Sequence, residues 1–148
     1  PYLDNILWLN SRLTDLQAVI GLVKLERLAD FNQSRVDNAR FLTSGLANIQ
    51  NIRTPEVSDG NHHVFHQYTI RYGGDRDSFV EELRSHGIGA GVYYPIPIHQ
   101  QPIYKRLGYN DILPVTEKAS REVLSLPVHP SLTKQELETI VREVKALC

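Results

Sequence analysis

The first third of the chain carries apolar and polar residues at the spacing of an amphipathic helix. Thr14 and Gln17 occupy the two positions of a capping box, whose side chains bond unpaired amides of the first helical turn. Apolar residues then recur every three or four positions. This pattern predicts one long helix over residues 15–47, with a bend near Asn32. Gly21 lies inside this helix, where glycine costs about 1 kcal/mol of stability relative to alanine. We therefore expect it to serve close packing against another backbone.

Three later segments are typical of extended chain. Residues 64–72 are aromatic and β-branched and predict a strand, residues 88–94 predict a second strand, and residues 123–129 predict a short extended piece. Asp75 is placed to cap a helix over residues 76–86, between the first two strands. Short strands with helices among them indicate an α+β layer more than a parallel crossover unit.

Further helices are predicted in the last third of the chain. Two short ones lie near residues 104–107 and 115–121, and a final helix opens at a second capping box formed by Thr133 and Glu136. The apolar residues of this final helix form one stripe. The sequence therefore predicts an α+β fold with a long N-terminal helix and a few-stranded, mainly antiparallel sheet on which helices pack.

Composition narrows the possible partners. The chain has 148 residues, 41% of them hydrophobic, and a net charge of −1, which fits a single globular domain. Without a basic run we expect neither nucleic acid nor a membrane surface as partner. No apolar run reaches the roughly 18 residues of a membrane span. The one cysteine, Cys148, allows no internal disulfide and favours the cytoplasm. Because methionine is absent, we interpret the chain as a fragment or an excised domain.

A proline-rich segment, GVYYPIPIHQQPIY at residues 91–104, is the first candidate site. Its prolines stiffen the backbone, so that Tyr94 and His99 are presented in a fixed arrangement. A tyrosine face with one hydroxyl and an imidazole can together bind a sugar or phosphate edge. The alternative is a proline-braced loop whose tyrosines only cover the core.

Asn10 and Arg12 form the second candidate site, just before the cap of the long helix. A helix N-terminus favours anions, and arginine adds a charged fork suited to phosphate or carboxylate. The alternative is an ordinary loop with a surface arginine. No metal site is predicted, because the adjacent His62 and His63 would point to opposite faces of an extended chain. Glycine-rich nucleotide loops and paired CxxC motifs are absent.

Four segments in order resemble the C-terminal part of the DegT/StrS family of nucleotide-sugar aminotransferases, which use pyridoxal 5′-phosphate (PLP). They are LNSRLTDLQAVIGLVKLERLADF, HVFHQYTIRY, GIGAGVYYPIPIHQQPIYKRLGY and REVLSLPVHPSLTKQELETIV. The pair YPIPIH and LSLPVHP is the most specific part. Departures from the family pattern are Trp8 and Ser11 beside Asn10, Leu13 for methionine and Tyr93 for histidine.

The resemblance implies a fold-type I enzyme in which residues 1–148 are the small C-terminal domain and the segment at about 15–47 is the inter-domain helix. It implies a homodimer with active sites at the subunit interface. Asn10 and Arg12 then belong to the cofactor side of the partner's site, and Tyr94 and His99 to the substrate side. The lysine that forms the Schiff base, and the N-terminal domain that holds PLP, are expected upstream of residue 1, so no residue of this chain is assigned as catalytic.

The function that the resemblance implies is transfer of an amino group, from glutamate, to a keto nucleotide-sugar, in polysaccharide, cell-surface sugar or antibiotic sugar biosynthesis. This chain by itself is expected to be inactive. Two alternatives stay open. One is a PLP-dependent sugar dehydratase of the same family, in which histidine replaces the Schiff-base lysine. The other is a sugar-binding or regulatory module without catalysis.

Overall fold

The computed structural model describes residues 13–148. Two consecutive helices open the described chain, α1 at Asp15–Glu26 and α2 at Leu28–Leu46. The capping box predicted at Thr14 is confirmed, with the Thr14 side chain accepting from the Gln17 amide and the Gln17 side chain accepting from the Thr14 amide. The single helix predicted over residues 15–47 is wrong in one respect, because the chain breaks at Arg27.

The break has a local backbone cause. Arg27 has φ −107° and ψ 8°, outside the α-helical range, and its amide donates to the Lys24 carbonyl at 3.2 Å in a tighter turn. Both cations lie over the Phe31 ring, Lys24 Nζ at 5.5 Å and Arg27 Cζ at 4.9 Å from its centroid. The bend predicted near Asn32 is therefore five residues too late, and no glycine or proline at the true position marks it.

Three short strands form an antiparallel sheet in the order β1-β2-β3. They are β1 at Ile52–Arg53, β2 at Tyr68–Tyr72 and β3 at Val123–Leu126. The strand predicted over 64–72 begins only at Tyr68, since Phe65 has φ +47° and its amide donates to Nδ1 of His63 at 2.9 Å. A residue with positive φ turns the chain and cannot continue a ladder.

The strand predicted over 88–94 is not formed. Gly91 makes one isolated bridge to Ser125 of β3, and the chain bends just before it, where the Ala90 amide donates to the Ile88 carbonyl at 2.7 Å. After this point Pro95 has no amide to offer. The segment therefore touches the sheet at one residue and then leaves it.

The remaining helices agree with the sequence pattern. They are α3 at Arg76–Ser85, α4 at Pro102–Arg106, α5 at Pro114–Glu122 and α6 at Lys134–Leu147, with a 3₁₀ turn at Ile98–Gln100. Asp75 caps α3 through its side chain, and the capping box of Thr133 and Glu136 opens α6. Both predicted caps are confirmed.

The core lies between α2, α3, α6 and one face of the sheet. Alternate residues of the paired strands, Tyr68 with Leu126 and Ile70 with Leu124, face it. The largest fully buried side chains are Tyr68, Leu42, Leu46, Ile70, Leu83, Leu124 and Val144. The predicted α+β class is confirmed.

Helix α1 contributes nothing to this core. None of its residues is buried, and Leu16, Val19 and Ile20 are 72%, 58% and 52% exposed. A Cβ placed on Gly21 would meet no atom within 4 Å. Within residues 13–148, the apolar face of α1 and the glycine predicted to lie against a second backbone have no packing partner.

Gly45 of α2 and Gly21 of α1 make a matched test of how closely these two helices are packed. A Cβ on Gly45 of α2 would lie 2.7 and 2.9 Å from the two methyl carbons of Val141 on α6. We expect Gly45→Ala to lower the free energy of unfolding by about 1–2 kcal/mol, because overpacking outweighs the better helix propensity of alanine. Gly21→Ala has no such contact and should not lower it. Urea denaturation measures both, and equal stability of the two variants would contradict the close α2–α6 contact.

Candidate functional site

The proline-rich segment is fixed to the sheet at its start. Gly91 exchanges two backbone hydrogen bonds with Ser125, at 3.0 and 2.7 Å. The preceding Ala90 is buried, and its carbonyl accepts from Nε of Arg84 on α3 at 2.9 Å. The loop therefore leaves a rigid part of the fold.

Tyr93 and Tyr94 follow at the surface. Their rings lie edge to face with centroids 6.4 Å apart, and Tyr94 is 66% exposed while Tyr93 is 42% exposed. Tyr93 lines a pocket of about 450 Å³. Arg35, His66 and His129 also line this pocket. The sequence selected Tyr94, whereas the structure adds Tyr93 as the tyrosine that lines a concave surface.

His99 is held inward on the 3₁₀ turn. Its side chain is only 10% exposed, and Nε2 lies 3.2 Å from Oε1 of Glu117 on α5. Gln101, two residues on, is buried. The structure therefore does not leave His99 as a free loop side chain but joins the turn to α5. Tyr94 and His99 belong to the same proline-braced segment and differ in exposure.

Glu117 is the residue of this site that sequence reasoning missed. Its Oε1 also accepts the Leu113 amide at 3.0 Å. The pKa of Glu117 is lowered, first by the Leu113 amide and then by the bond to His99, because donors stabilise the ionised carboxylate. A glutamate four residues after Leu113 at a helix start was the available sequence signal for its capping role.

Arg76 anchors α5 to the sheet and to α3. This buried side chain donates through one terminal nitrogen to the Ser120 carbonyl at 3.1 Å and the Val123 carbonyl at 2.8 Å. The Ser120 carbonyl lies in the last turn of α5, where helix carbonyls lack intrahelical donors. Arg71 of β2 also holds α5, through Glu122 at 2.5 Å. These contacts fix the helix that carries Glu117.

A larger pocket, of about 610 Å³, lies away from Tyr94 and His99. It is lined by the turn after α3, the segment after β3 and the first half of α6. The two pockets share Gly89, Pro127 and His129. We give the smaller pocket more weight as a site because it adjoins the stiffened loop, whereas Glu136 in the larger one is already used as a helix cap.

The second candidate site, Asn10 and Arg12, lies outside the described residues. Within residues 13–148 no three histidine, cysteine, aspartate or glutamate side chains converge in a way that could hold a metal ion. No helix of this part of the chain combines the length and the apolar character that crossing a bilayer demands.

The lysines have a common environment. All five side chains are exposed, and they are Lys24, Lys105, Lys118, Lys134 and Lys145. A lysine that forms a Schiff base is activated by removal from water or by a neighbouring cation. None of these lysines has the first property.

Comparison with known proteins decides the family. Residues 1–145 match the model of the DegT/DnrJ/EryC1/StrS aminotransferase family. The chain belongs to this family. The resemblance noted from the four sequence segments is thereby confirmed.

Two similar proteins carry different kinds of name. The pleiotropic regulatory protein of Geobacillus stearothermophilus is 39% identical over 148 residues, which cover 97% of this chain and 39% of the relative. The UDP-N-acetyl-3-dehydro-alpha-D-glucosamine 3-aminotransferase of Acidithiobacillus ferrooxidans is 35% identical over 144 residues, covering 97% and 38%. The chain therefore spans about two fifths of these relatives.

The fold agrees with that of a solved structure. S. venezuelae DesV, crystallised in complex with a ketimine intermediate, matches with a TM-score of 0.83 and 31% identity, over 93% of this chain and 37% of DesV. At this similarity the α+β arrangement described above is the fold of the matched part of DesV.

Proposed function

We propose that this chain is the small C-terminal domain of a PLP-dependent aminotransferase that moves an amino group from glutamate to a keto nucleotide-sugar in the cytoplasm. The observation that carries the proposal is the match of residues 1–145 to one aminotransferase family. The A. ferrooxidans relative is named for amino transfer to a UDP-linked sugar, which supports the substrate class. The ketimine in DesV is a nitrogen–carbon adduct of the kind that PLP chemistry forms.

The described residues do not fit the role of covalent cofactor anchor. Each lysine of the chain is exposed, whereas PLP needs a positioned amine as its Schiff-base partner. We therefore assign the Schiff-base lysine to protein outside this chain and derive no reaction step from the residues present. Asn10 and Arg12 are proposed for the phosphate of a cofactor bound by the partner subunit.

This chain also supplies part of the sugar side of the site. Tyr94 offers an exposed ring and a hydroxyl, and His99 offers an imidazole fixed by Glu117. An apolar ring face with oriented polar atoms suits a sugar, which carries hydroxyls on an otherwise carbon surface. The bridge of Gly91 to β3 supports the rigidity such a site requires.

The surface of α1 supports the domain assignment. Eight large apolar side chains between Leu13 and Leu28 are 45–74% exposed. Contiguous apolar surface of this kind marks an interface. We propose that α1 and α2 together form the inter-domain connection, that a PLP-binding domain covers α1, and that two such subunits form a homodimer with shared active sites.

A second candidate is a regulatory protein of the same fold. The name of the G. stearothermophilus relative, pleiotropic regulatory protein, favours it. The two candidates differ in turnover. An aminotransferase consumes glutamate in the presence of a keto sugar, whereas a regulatory module binds the nucleotide-sugar and consumes no glutamate.

The test uses the complete protein that contains this chain, loaded with PLP and supplied with glutamate and a panel of UDP- and dTDP-linked keto sugars. We expect an amino sugar, identified by mass, and 2-oxoglutarate in equal amounts. The isolated 148-residue chain under the same conditions should give neither. A complete protein that retains PLP and binds a nucleotide-sugar but forms no amine would contradict the aminotransferase and favour the regulatory candidate.

A further inference from the structure

The two ring nitrogens of His99 have different surroundings. Nε2 lies 3.2 Å from Oε1 of Glu117, and this is the one side-chain hydrogen bond of His99 within residues 13–148. No fully buried side-chain nitrogen or oxygen in that part of the chain lacks a hydrogen-bond partner. Nδ1 of His99 has none there, so it is reached by solvent although the side chain as a whole is 10% exposed.

Glu117 dictates which nitrogen carries the hydrogen. Its Oε1 accepts the Leu113 amide at 3.0 Å as well as facing His99, and these donors lower the pKa of the Glu117 carboxyl. An ionised carboxylate can only accept hydrogen bonds. Nε2 of His99 must therefore be the donor of this pair. A neutral imidazole carries one hydrogen, which leaves Nδ1 with a lone pair.

We propose that Glu117 is a positioning residue that fixes neutral His99 as its Nε2–H tautomer, so that Nδ1 accepts a hydrogen bond from a hydroxyl group of the sugar substrate. This inference rests on the proposed function, since it takes His99 as part of the sugar side. It deepens that function by naming the ligand group, a neutral hydroxyl donor. A phosphate oxygen, which has no hydrogen to donate, would meet a lone pair at this atom.

The arrangement explains why the loop is joined to α5. A histidine on an unbraced turn would sample both tautomers and several ring orientations, and each would offer a different atom to the ligand. The bond to Glu117 selects one orientation before the ligand arrives. A second group that orients the working nitrogen of a histidine is a common device in protein sites.

The first test reads the tautomer directly. Nitrogen-15 spectra are recorded on the complete protein that contains this chain, at a pH high enough that the His99 shifts no longer change and the ring is neutral. We expect Nε2 to appear as the protonated nitrogen and Nδ1 as the unprotonated one. Glu117→Ala should lower the ratio of the two tautomers about tenfold, and Glu138→Ala, a control on the exposed surface of α6, should leave it unchanged.

Two results overturn the proposal. One is a wild-type ring in which Nδ1 carries the hydrogen, a measurement that needs no variant and so does not depend on the folding of Glu117→Ala. The other is a folded Glu117→Ala chain whose tautomer ratio equals that of the wild type. Folding of the variant is checked by its amide spectrum.

The second test measures sugar use by the complete enzyme. His99→Gln places an amide near the Nε2 position, where it can still meet Glu117, but has no acceptor at the Nδ1 position. We expect His99→Gln and Glu117→Ala each to lower kcat/KM for the sugar about 3- to 10-fold. The double variant should lose little more, because both changes remove one interaction. Fully multiplicative losses would overturn the coupling.

The two tests separate this inference from the proposed function. If His99→Ala impairs sugar use but the wild-type ring carries its hydrogen on Nδ1, the inference alone fails. If the ring is the Nε2–H tautomer but His99→Ala leaves every sugar constant unaltered, the sugar role of the loop fails and the hydroxyl assignment fails with it.

Discussion

Replacing Arg76 by methionine should lower the free energy of unfolding by about 2–4 kcal/mol. Arg76 is 7% exposed and donates to two backbone carbonyls, those of Ser120 and Val123, at 3.1 and 2.8 Å. Methionine fills a similar volume but donates nothing, so both carbonyls lose a charged donor. Hydrogen bonds to charged groups contribute about 1.5–3 kcal/mol each, and the two share one nitrogen, which keeps the total below their sum.

The matched control is Arg142→Met. The Arg142 side chain is 67% exposed and contacts Glu143, and we expect its loss to change stability by less than about 0.5 kcal/mol. Urea denaturation measures the free energy of unfolding of both variants. The dependence of this free energy on urea concentration should equal that of the wild type, so that a shifted midpoint reports a change in stability. Equal stabilities would mean that Arg76 does not anchor α5, and the rigid support of Glu117 and His99 described above would lose its basis.

Side-chain helix caps could be read from the sequence because they depend on neighbours along the chain. The boxes at Thr14 and Thr133 and the cap at Asp75 each need one polar side chain and an amide two or three residues away. The same holds for Gly87, which follows α3 with φ +80°. The structure confirms these local predictions.

Strand limits could not be read in this way. The composition of residues 64–67 is that of a strand, but Phe65 turns into the core with φ +47° and ends the pairing. The segment at 88–94 has strand composition too, yet only Gly91 reaches β3. In both places a backbone amide has a partner outside the ladder, the His63 ring for Phe65 and the Ile88 carbonyl for Ala90, and composition carries no record of either bond.

The candidate site was predicted in part. The prolines indicated a stiff segment with Tyr94 and His99, and the fold supplies such a segment. The sequence could not indicate that Glu117 contacts His99, because the two lie eighteen positions apart and meet only when α5 packs beside the turn. It also could not rank Tyr93 above Tyr94 as a pocket residue, since adjacent tyrosines differ only in where the backbone points them.

The second large effect concerns sugar use by the complete enzyme. We expect His99→Ala to lower kcat/KM for the keto nucleotide-sugar about 10- to 100-fold, because it removes the fixed polar atom and the bond that joins the loop to Glu117. Tyr94→Phe, which keeps the ring and loses the hydroxyl, should lower it about 2- to 10-fold. Neither change should alter the PLP content of the purified enzyme, since both residues are assigned to the sugar side.

Asn10→Ala is the contrasting variant. The Asn10 side chain is proposed to contact the cofactor phosphate. Its removal should therefore speed PLP release about 2- to 10-fold and should affect sugar binding less. Comparing the three variants separates the two sides of the site within one enzyme. The comparison also distinguishes a local effect from unfolding of the variant, because unfolding would reduce PLP content and sugar use together.

The most direct measurement is therefore the pair of constants for His99→Ala in the complete enzyme, kcat/KM for the keto nucleotide-sugar and bound PLP per subunit. The account predicts a loss of about 10- to 100-fold in the first and wild-type occupancy in the second. An unaltered kcat/KM, or a loss of PLP that matches the loss of sugar use, would contradict the assignment of the proline-rich segment to the sugar side of an aminotransferase site.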